Sequence, residues 1–251
     1  MSRTFEAISR LESDNQTPTP VPTPLTKVVS KPAAGQNGKK SVRLGDEEVL
    51  KLVQRVFRSS QADAPHAVVF SGVDHGDGGT WITANAGLTL AAQTTASICL
   101  VDANLRTPSL HRFFEIENRF GLVEATTQAG PIRDFAQRLA GSNLWVLTCG
   151  SIANHKSVGA LNAEGLRARI AELRSEFDYV LVDTPPANLY ADAVTVARHT
   201  DGIILVLQSN STRREAALKA KESFENAHVR LLGAVLNKRT YPIPQNLYSR
   251  L

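Results

Sequence analysis

AVVFSGVDHGDGGTWITANAG, residues 67–87, decides the fold. Ala67–Ser71 is short, β-branched and apolar, as a buried strand is, and from Ala84 the residues suit a helix. Between them lies a glycine-rich loop. Glycines let backbone N–H groups turn toward an anion, and the start of a helix adds a partial positive charge. An ordinary strand-to-helix turn has the same outline, so the loop alone does not settle phosphate binding.

Outward from this stretch the same alternation repeats. SICLVD (97–102), LWVLT (144–148), DYVLVD (178–183), GIILVLQ (202–208) and LLGAVLN (231–237) read as further strands. ANAGLTLAAQ (84–93), GLRARIAELRSEF (165–177) and TRREAALKAKESFENA (212–227) read as helices, the last opening with a Thr212/Glu215 capping-box pattern. Strands apolar on both faces and separated by helices predict an α/β fold, a mostly parallel sheet covered by helices on both faces. In such sheets ligands bind at the carboxyl ends of the strands.

Two carboxylates stand at those ends, Asp102 and Asp183, each behind apolar residues. With a hydroxyl from Thr80 and phosphate oxygens, they are what an octahedral Mg²⁺ requires. The alternative for each Asp is a strand-end cap that accepts loop N–H bonds. Pro185 and Pro186 stiffen the turn after Asp183 and aim it. His75 reads as a solvated loop residue, and Trp81 either packs under the loop or stacks on a base.

The remainder of the chain sets limits. Of 251 residues, 42% are hydrophobic and 21% charged, enough for a packed core and against wholesale disorder. Residues 1–46 hold seven Lys/Arg against four Asp/Glu, so most of the net charge of +4 sits there and the folded part offers nucleic acid little. Five of the twelve prolines fall in NQTPTPVPTPLTKVVSKP (15–32), which has no period that buries a face. Residues 1–45 are therefore expected to form a disordered tail, with a short amphipathic helix at Phe5, Ile8 and Leu11. The folded domain is expected over 46–240, opening with the stripe Val49, Leu52, Val53 and Val56, and 241–251 forms a second tail. The acids in MSRTFEAISRLESD (1–14) argue against a signal peptide, and apolar runs such as Ile203–Leu207 are too short to span a membrane. Cys99 and Cys149 have no metal or redox spacing and read as buried thiols, which excludes cluster-based electron transfer.

The ordered set HGDGGTW, VDANLRTPSLHRFF, GLVEATT, LWVLTCG, FDYVLVDTPP, DGIILVLQ and GAVLN resembles the bacterial tyrosine kinases of capsule and exopolysaccharide synthesis. These are cytoplasmic P-loop proteins related to the septum-positioning and chromosome-partitioning ATPases. The likeness runs from about Asp46 to the C-terminus and implies a three-layer P-loop NTPase fold. It implies ATP and Mg²⁺ as cofactors, with nucleotide bound by Gly76, Asp77, Gly78, Gly79, Thr80 and Trp81 and with Asn237 near the adenine. Thr80, Asp102 and Asp183 would hold the metal, and Asp102 and Asn104 occupy the catalytic positions. Glu48, Lys51 and Gln54 fall on the ring-assembly helix, and Tyr241 and Tyr248 are the phosphoacceptor candidates.

The chain departs from that pattern at three places. Gly79 stands where the loop lysine is expected, and neither Asp74 nor His75 supplies the second lysine of the partitioning ATPases. An ammonium about 4 Å from a phosphate at a dielectric near 20 contributes on the order of 4 kcal/mol, and about 1.4 kcal/mol is tenfold in affinity. Asn104 replaces a carboxylate, which an amide cannot match as a base, and Lys51 and Gln54 replace arginines. The resemblance with these losses predicts a catalytically impaired protein that binds a membrane-anchored polysaccharide co-polymerase, peripheral to the inner membrane, with homo-oligomeric assembly and no nucleic acid. One alternative is an active tyrosine autokinase in which Arg106, Arg239 or a partner's arginine restores the charge. Another is a partitioning-type ATPase.

Overall fold

Six apolar runs become parallel strands because alternate residues of each can be buried on opposite faces. The computed structural model describes residues 44–58, 64–151 and 163–239. The short helix at Phe5–Leu11, the proline-rich linker and both tail tyrosines lie outside those residues. Elements follow in the order α1 (Leu44–Phe57), β1 (Ala67–Gly72), α2 (Gly79–Gln93), β2 (Ile98–Asp102), α3 (Leu110–Phe113), α4 (Leu122–Thr127) and α5 (Ile132–Phe135). Then come β3 (Gln137–Arg138), β4 (Leu144–Leu147), α6 (Ala163–Glu176), β5 (Tyr179–Thr184), α7 (Asp192–Ala197), β6 (Gly202–Gln208), α8 (Arg214–Asn226) and β7 (Leu231–Asn237).

The seven strands form one sheet in the order β3-β4-β2-β5-β1-β6-β7. Only β3 is antiparallel, paired with β4 through Gln137↔Val146 and Arg138↔Trp145. From β1 the chain first crosses to β2, beyond β5, and later returns to β6 on the other side of β1. That reversal leaves a crevice at the carboxyl end of β1, where the glycine loop begins.

Strand alternation divides the core into two layers. Val69, Val101, Val180 and Val182 face the α4–α8 layer with Leu122, Phe135, Ile170 and Phe224. Val68, Phe70, Leu100 and Leu181 face α1 and α2 with Val49, Val53, Phe57, Ile82 and Leu90. No described helix is long and apolar enough to cross a membrane.

Carboxylates fasten the amino ends of the strands. Asp201 accepts the N–H groups of His66 and Ala67 at 2.7 and 2.8 Å and pairs with Arg174 at 2.7 Å. Burial opposes its ionisation, but Arg174 and the two amides outweigh it and hold its pKa below the usual carboxylate value. Asp178 accepts from the Ser97 hydroxyl and N–H, which likewise lower its pKa.

Two sequence expectations change. The Thr212/Glu215 capping box does not form: α8 starts at Arg214 after Arg213, with no side-chain cap. Thr212 instead reaches the glycine loop. Glu124 makes the reach-back bond of a capping box, accepting the Gly121 N–H at 3.0 Å. Strand β3 and helices α3, α4, α5 and α7 were not expected from the sequence, because elements of two to six residues carry no readable period.

Helix α2 approaches β2 closely at Gly87, where an added Cβ would lie 2.6 Å from Leu100 Cδ2. Gly87→Ala should therefore cost about 1–3 kcal/mol by overpacking. Urea unfolding measures it, and a stability equal to the parent's would show that Leu100 yields freely.

Candidate functional site

The loop after β1 holds its shape through two left-handed glycines, Gly76 at φ +86 and Gly78 at φ +92. Gly78 has a second reason to be glycine, since a Cβ there would lie within 2.2 Å of Asn237 Nδ2. Inside the loop Asp77 is buried, and its Oδ2 accepts the Asp74 N–H at 2.9 Å. Its Oδ1 accepts the Thr212 hydroxyl at 3.0 Å, and its backbone carbonyl accepts from Asn237 Nδ2 at 2.8 Å. Lys238 Nζ donates to the Gly76 carbonyl at 2.6 Å and to Gln208 Oε1 at 3.2 Å. The loop is thus clasped from its outer side by the ends of β6 and β7. Its inner side faces the start of α2, whose cap residue Gly78 offers no side chain and whose first turn carries no acid. That combination suits an anion.

Beneath the loop the two strand-end carboxylates meet in register, Asp102 opposite Asp183. Thr80 donates its hydroxyl to Asp183 Oδ2 at 2.6 Å, and Ser109 donates to Thr80 Oγ1 at 3.3 Å. Asp183 Oδ1 is buried with no hydrogen-bond partner among the described residues. Asp102 is differently placed. Its Oδ2 accepts the N–H groups of Ser109 and Leu110, both at 3.0 Å, and its Oδ1 accepts that of Asn104 at 3.2 Å. Asn104 turns its own oxygen to the Thr107 N–H at 3.1 Å, so its amide holds the 104–107 turn.

Burial pushes the Asp102 carboxyl up to about 6 against the three amides that oppose the shift. Asp183 is raised well above the usual value by burial and by the charge of Asp102, with the Thr80 hydroxyl opposing. An orphaned buried oxygen beside a hydroxyl is the donor set for Mg²⁺ that keeps waters and phosphate oxygens as its other ligands. Thr80 and Asp183 fit that ion, while Asp102 has its oxygens occupied by the 104–110 segment.

The other sequence-selected residues lie apart. Arg106 sits 4.5 Å over the Tyr190 ring and 3.5 Å from Asp192, turned to its neighbours and not to the loop. His75 is exposed with its ring against Tyr190. Trp81 is 43% exposed and lines a groove between α1 and β7, so it does not pack under the loop. Glu48 and Lys51 pair at 3.0 Å on the outer face of α1, where Gln54 is also exposed. Ser71 donates to the Pro185 carbonyl at 2.9 Å, which ties the turn after Asp183 to β1. Both cysteines are buried; burial pushes the Cys99 thiol up to about 12 and raises Cys149, with Asp102 and Glu124 adding to the latter.

Sequence reading did not single out Ser109, Lys238 or the Thr212–Asp77 bond. Lys238 follows Asn237 directly, and a cation beside a residue already assigned to the site was the available signal.

Residues 66–233 match the family described as cellulose biosynthesis protein BcsQ. Tyrosine-protein kinase YwqD of Bacillus subtilis (strain 168) is 32% identical over 171 residues, 68% of this chain and 71% of that protein. The putative tyrosine-protein kinase CapB of Staphylococcus aureus is 32% identical over 166 residues, 66% of this chain and 71% of that one. Two solved structures share the fold. The chimerical protein CapA2B2 has a TM-score of 0.72 at 24% identity, covering 85% of this chain and 94% of the other. The septum site-determining protein MinD of Pyrococcus horikoshii OT3, complexed with Mg-ADP, has a TM-score of 0.58 at 22% identity, covering 73% and 75%.

In metal-free buffer the raised carboxylates stabilise the fold fully below about pH 4; that contribution falls as pH rises above the ordinary carboxylate value and is gone once pH has passed their raised folded-state values, about 6 for Asp102. Asp183→Asn removes a buried charge, so at pH 8 it should raise stability by on the order of 1–3 kcal/mol and flatten the pH slope. Urea midpoints at pH 5 and pH 8 for both chains decide this; an Asn variant with the parent's slope would contradict it.

Proposed function

The chain belongs to the P-loop family matched over residues 66–233, together with the bacterial tyrosine kinases, and we propose that it serves exopolysaccharide or capsule biosynthesis as a kinase-like protein with impaired phosphoryl transfer. Gly79 carries this reading. A Cβ on Gly79 would lie 3.7 Å from Asp183 Oδ1 and 3.1 Å from the Gly72 nitrogen, so a lysine stem would start beside the orphaned carboxylate. Without that ammonium, two buried carboxylates and an incoming triphosphate meet with no fixed cation between them.

Bound Mg²⁺ supplies neutralisation of the phosphate charge. The chain's own residues would supply the rest: Thr80 and Asp183 would hold the ion, the N–H groups at the start of α2 would bind the phosphates, and Asn237 is the residue the resemblance assigns to the base. Asn104 cannot accept the proton of a tyrosyl hydroxyl. A cradle that keeps its shape but grips triphosphate weakly suits a protein that works by binding. Its partner is then a membrane-anchored polysaccharide co-polymerase, with the outer face of α1 at Glu48, Lys51 and Gln54 as the assembly surface.

One observation favours the second reading, an active autokinase. Lys238 already has its ammonium on a loop carbonyl, whereas Arg106 is engaged with Tyr190 and Asp192, so in this reading Lys238 is the cation that would swing to the phosphates.

Calorimetry with Mg-ATP and Mg-ADP separates the two. The impaired reading expects weak binding by the parent chain and a gain of roughly tenfold or more in Gly79→Lys; micromolar ATP affinity with phosphotyrosine formation would overturn it. The autokinase reading expects Lys238→Ala to abolish binding and Tyr241→Phe with Tyr248→Phe to abolish self-labelling. Labelling that persists in the doubly substituted chain removes it.

A further inference from the structure

Strand β7 ends the sheet, and no described strand lies beyond it. Its sequence, LLGAVLN, contains neither charge nor proline, the usual means by which an edge strand avoids pairing. The Asn237 carbonyl accepts the Ser209 N–H at 2.9 Å and so faces β6. By strand alternation, Ala234 and Leu236 direct their backbone N–H and C=O groups to the outer edge, and both residues are exposed. Gly233 stands inside this strand without a conformational need for glycine: its φ is not left-handed, and an added Cβ would meet no described atom within 4 Å. A strand glycine of that kind marks a place where another backbone approaches closely.

Beside the edge runs a groove of about 590 Å³, floored by Val49, Leu52 and Val56 of α1 and by Val235. Its rim carries Lys51, Arg55, Lys238 and Arg239, against Glu48 as the one acid among the described residues that line it. An apolar floor under a cationic rim complements a strand whose side chains alternate between apolar and acidic. The chain's own flanking sequences have the wrong charge for this rim. Residues 1–46 hold seven Lys/Arg against four Asp/Glu, and residues 240–251 contain Arg250 and no acid. A second copy would bring the same cations against themselves.

We propose that the β7 edge and its groove are the docking site for an extended acidic segment of a partner protein, which adds a strand beyond β7. The main chain of that segment pairs with the outward N–H and C=O groups of Ala234 and Leu236. Its apolar side chains enter the groove over Val49 and Val235, and Gly233 leaves them room. Its carboxylates meet Lys51, Arg55 and Lys238. The proposal stands on the edge and the groove, and holds whether or not the chain is a kinase.

Fluorescence anisotropy and amide-resolved hydrogen exchange of the full chain test it with short fluorescein-labelled peptides. One alternates valine and glutamate, a second alternates valine and lysine, and a third is the glutamate peptide with its backbone amides N-methylated. The glutamate peptide should bind one to one and slow exchange at Ala234 and Leu236. The lysine and N-methylated peptides should bind at least roughly tenfold more weakly. Gly233→Val, and Lys51→Glu combined with Arg55→Glu, should weaken the glutamate peptide by a similar factor, with the Val69 amide in β1 reporting that each variant remains folded. Should a variant not fold, the three peptides on the parent chain decide. Equal binding of the N-methylated peptide, or no slowing at Ala234 and Leu236 under saturating glutamate peptide, would overturn the proposal. Slow exchange of those two amides in the free chain would overturn it as well: if independent of protein concentration, the chain itself covers the edge, and if lost on dilution, a second copy does.

Discussion

A carboxylate with one oxygen satisfied and the other orphaned, buried under a glycine loop, governs this molecule. Asp183 is placed by β5, aimed by the Pro185–Ser71 tie and half-answered by Thr80 from α2. The parallel pairing of β1, β2 and β5 brings Asp102 into register with it, so the two carboxylates stand side by side at the strand ends. Asp102 is quieted by backbone amides from the 104–110 segment, whereas Asp183 has nothing comparable. Of the two readings the sequence offers for each Asp, the strand-end cap describes Asp102, and the metal ligand is the one proposed for Asp183.

Around this core of charge the loop is held from outside. Asn237, Lys238 and Thr212 come from the far ends of β7 and the β6–α8 connection, and each bonds to Gly76 or Asp77. Asp77 answers its own loop's amide at Asp74. The shape of the loop therefore does not depend on a lysine at position 79. Gly79 differs from Gly76 and Gly78 here: it has no left-handed backbone, so nothing in its conformation demands glycine.

Much of the fold was legible because long buried strands and amphipathic helices leave a period in the sequence. The six parallel strands and helices α1, α2, α6 and α8 have that length. The short helices between β2 and β4 do not, and they form because Leu110, Leu122 and Ile132 find burial that only the assembled sheet offers. At the site, Thr80, Asp102 and Asp183 could be gathered from three separate motifs because each follows a strand or opens a helix. The clasp of Lys238 and Thr212 on the loop could not, since it joins residues 135 or more positions apart through tertiary contact alone. Thr212 shows the cost of local reading: a helix-start pattern yielded to a partner across the molecule.

The sheet is electrostatically lopsided along its strands. At the amino ends Asp178 and Asp201 favour ionisation and act as latches, whereas at the carboxyl ends Asp102 and Asp183 resist it and act as a load. Protons therefore loosen one rim of the sheet while relieving the other, in different acidity ranges. For the bare polypeptide the most comfortable conditions lie near the ordinary carboxylate value, about pH 4, above which the unfolded chain sheds protons that the load retains and below which it takes up protons that the latches refuse. A cation seated at the loaded rim would shift that optimum upward, so the molecule's preferred acidity is itself a readout of whether its crevice is filled.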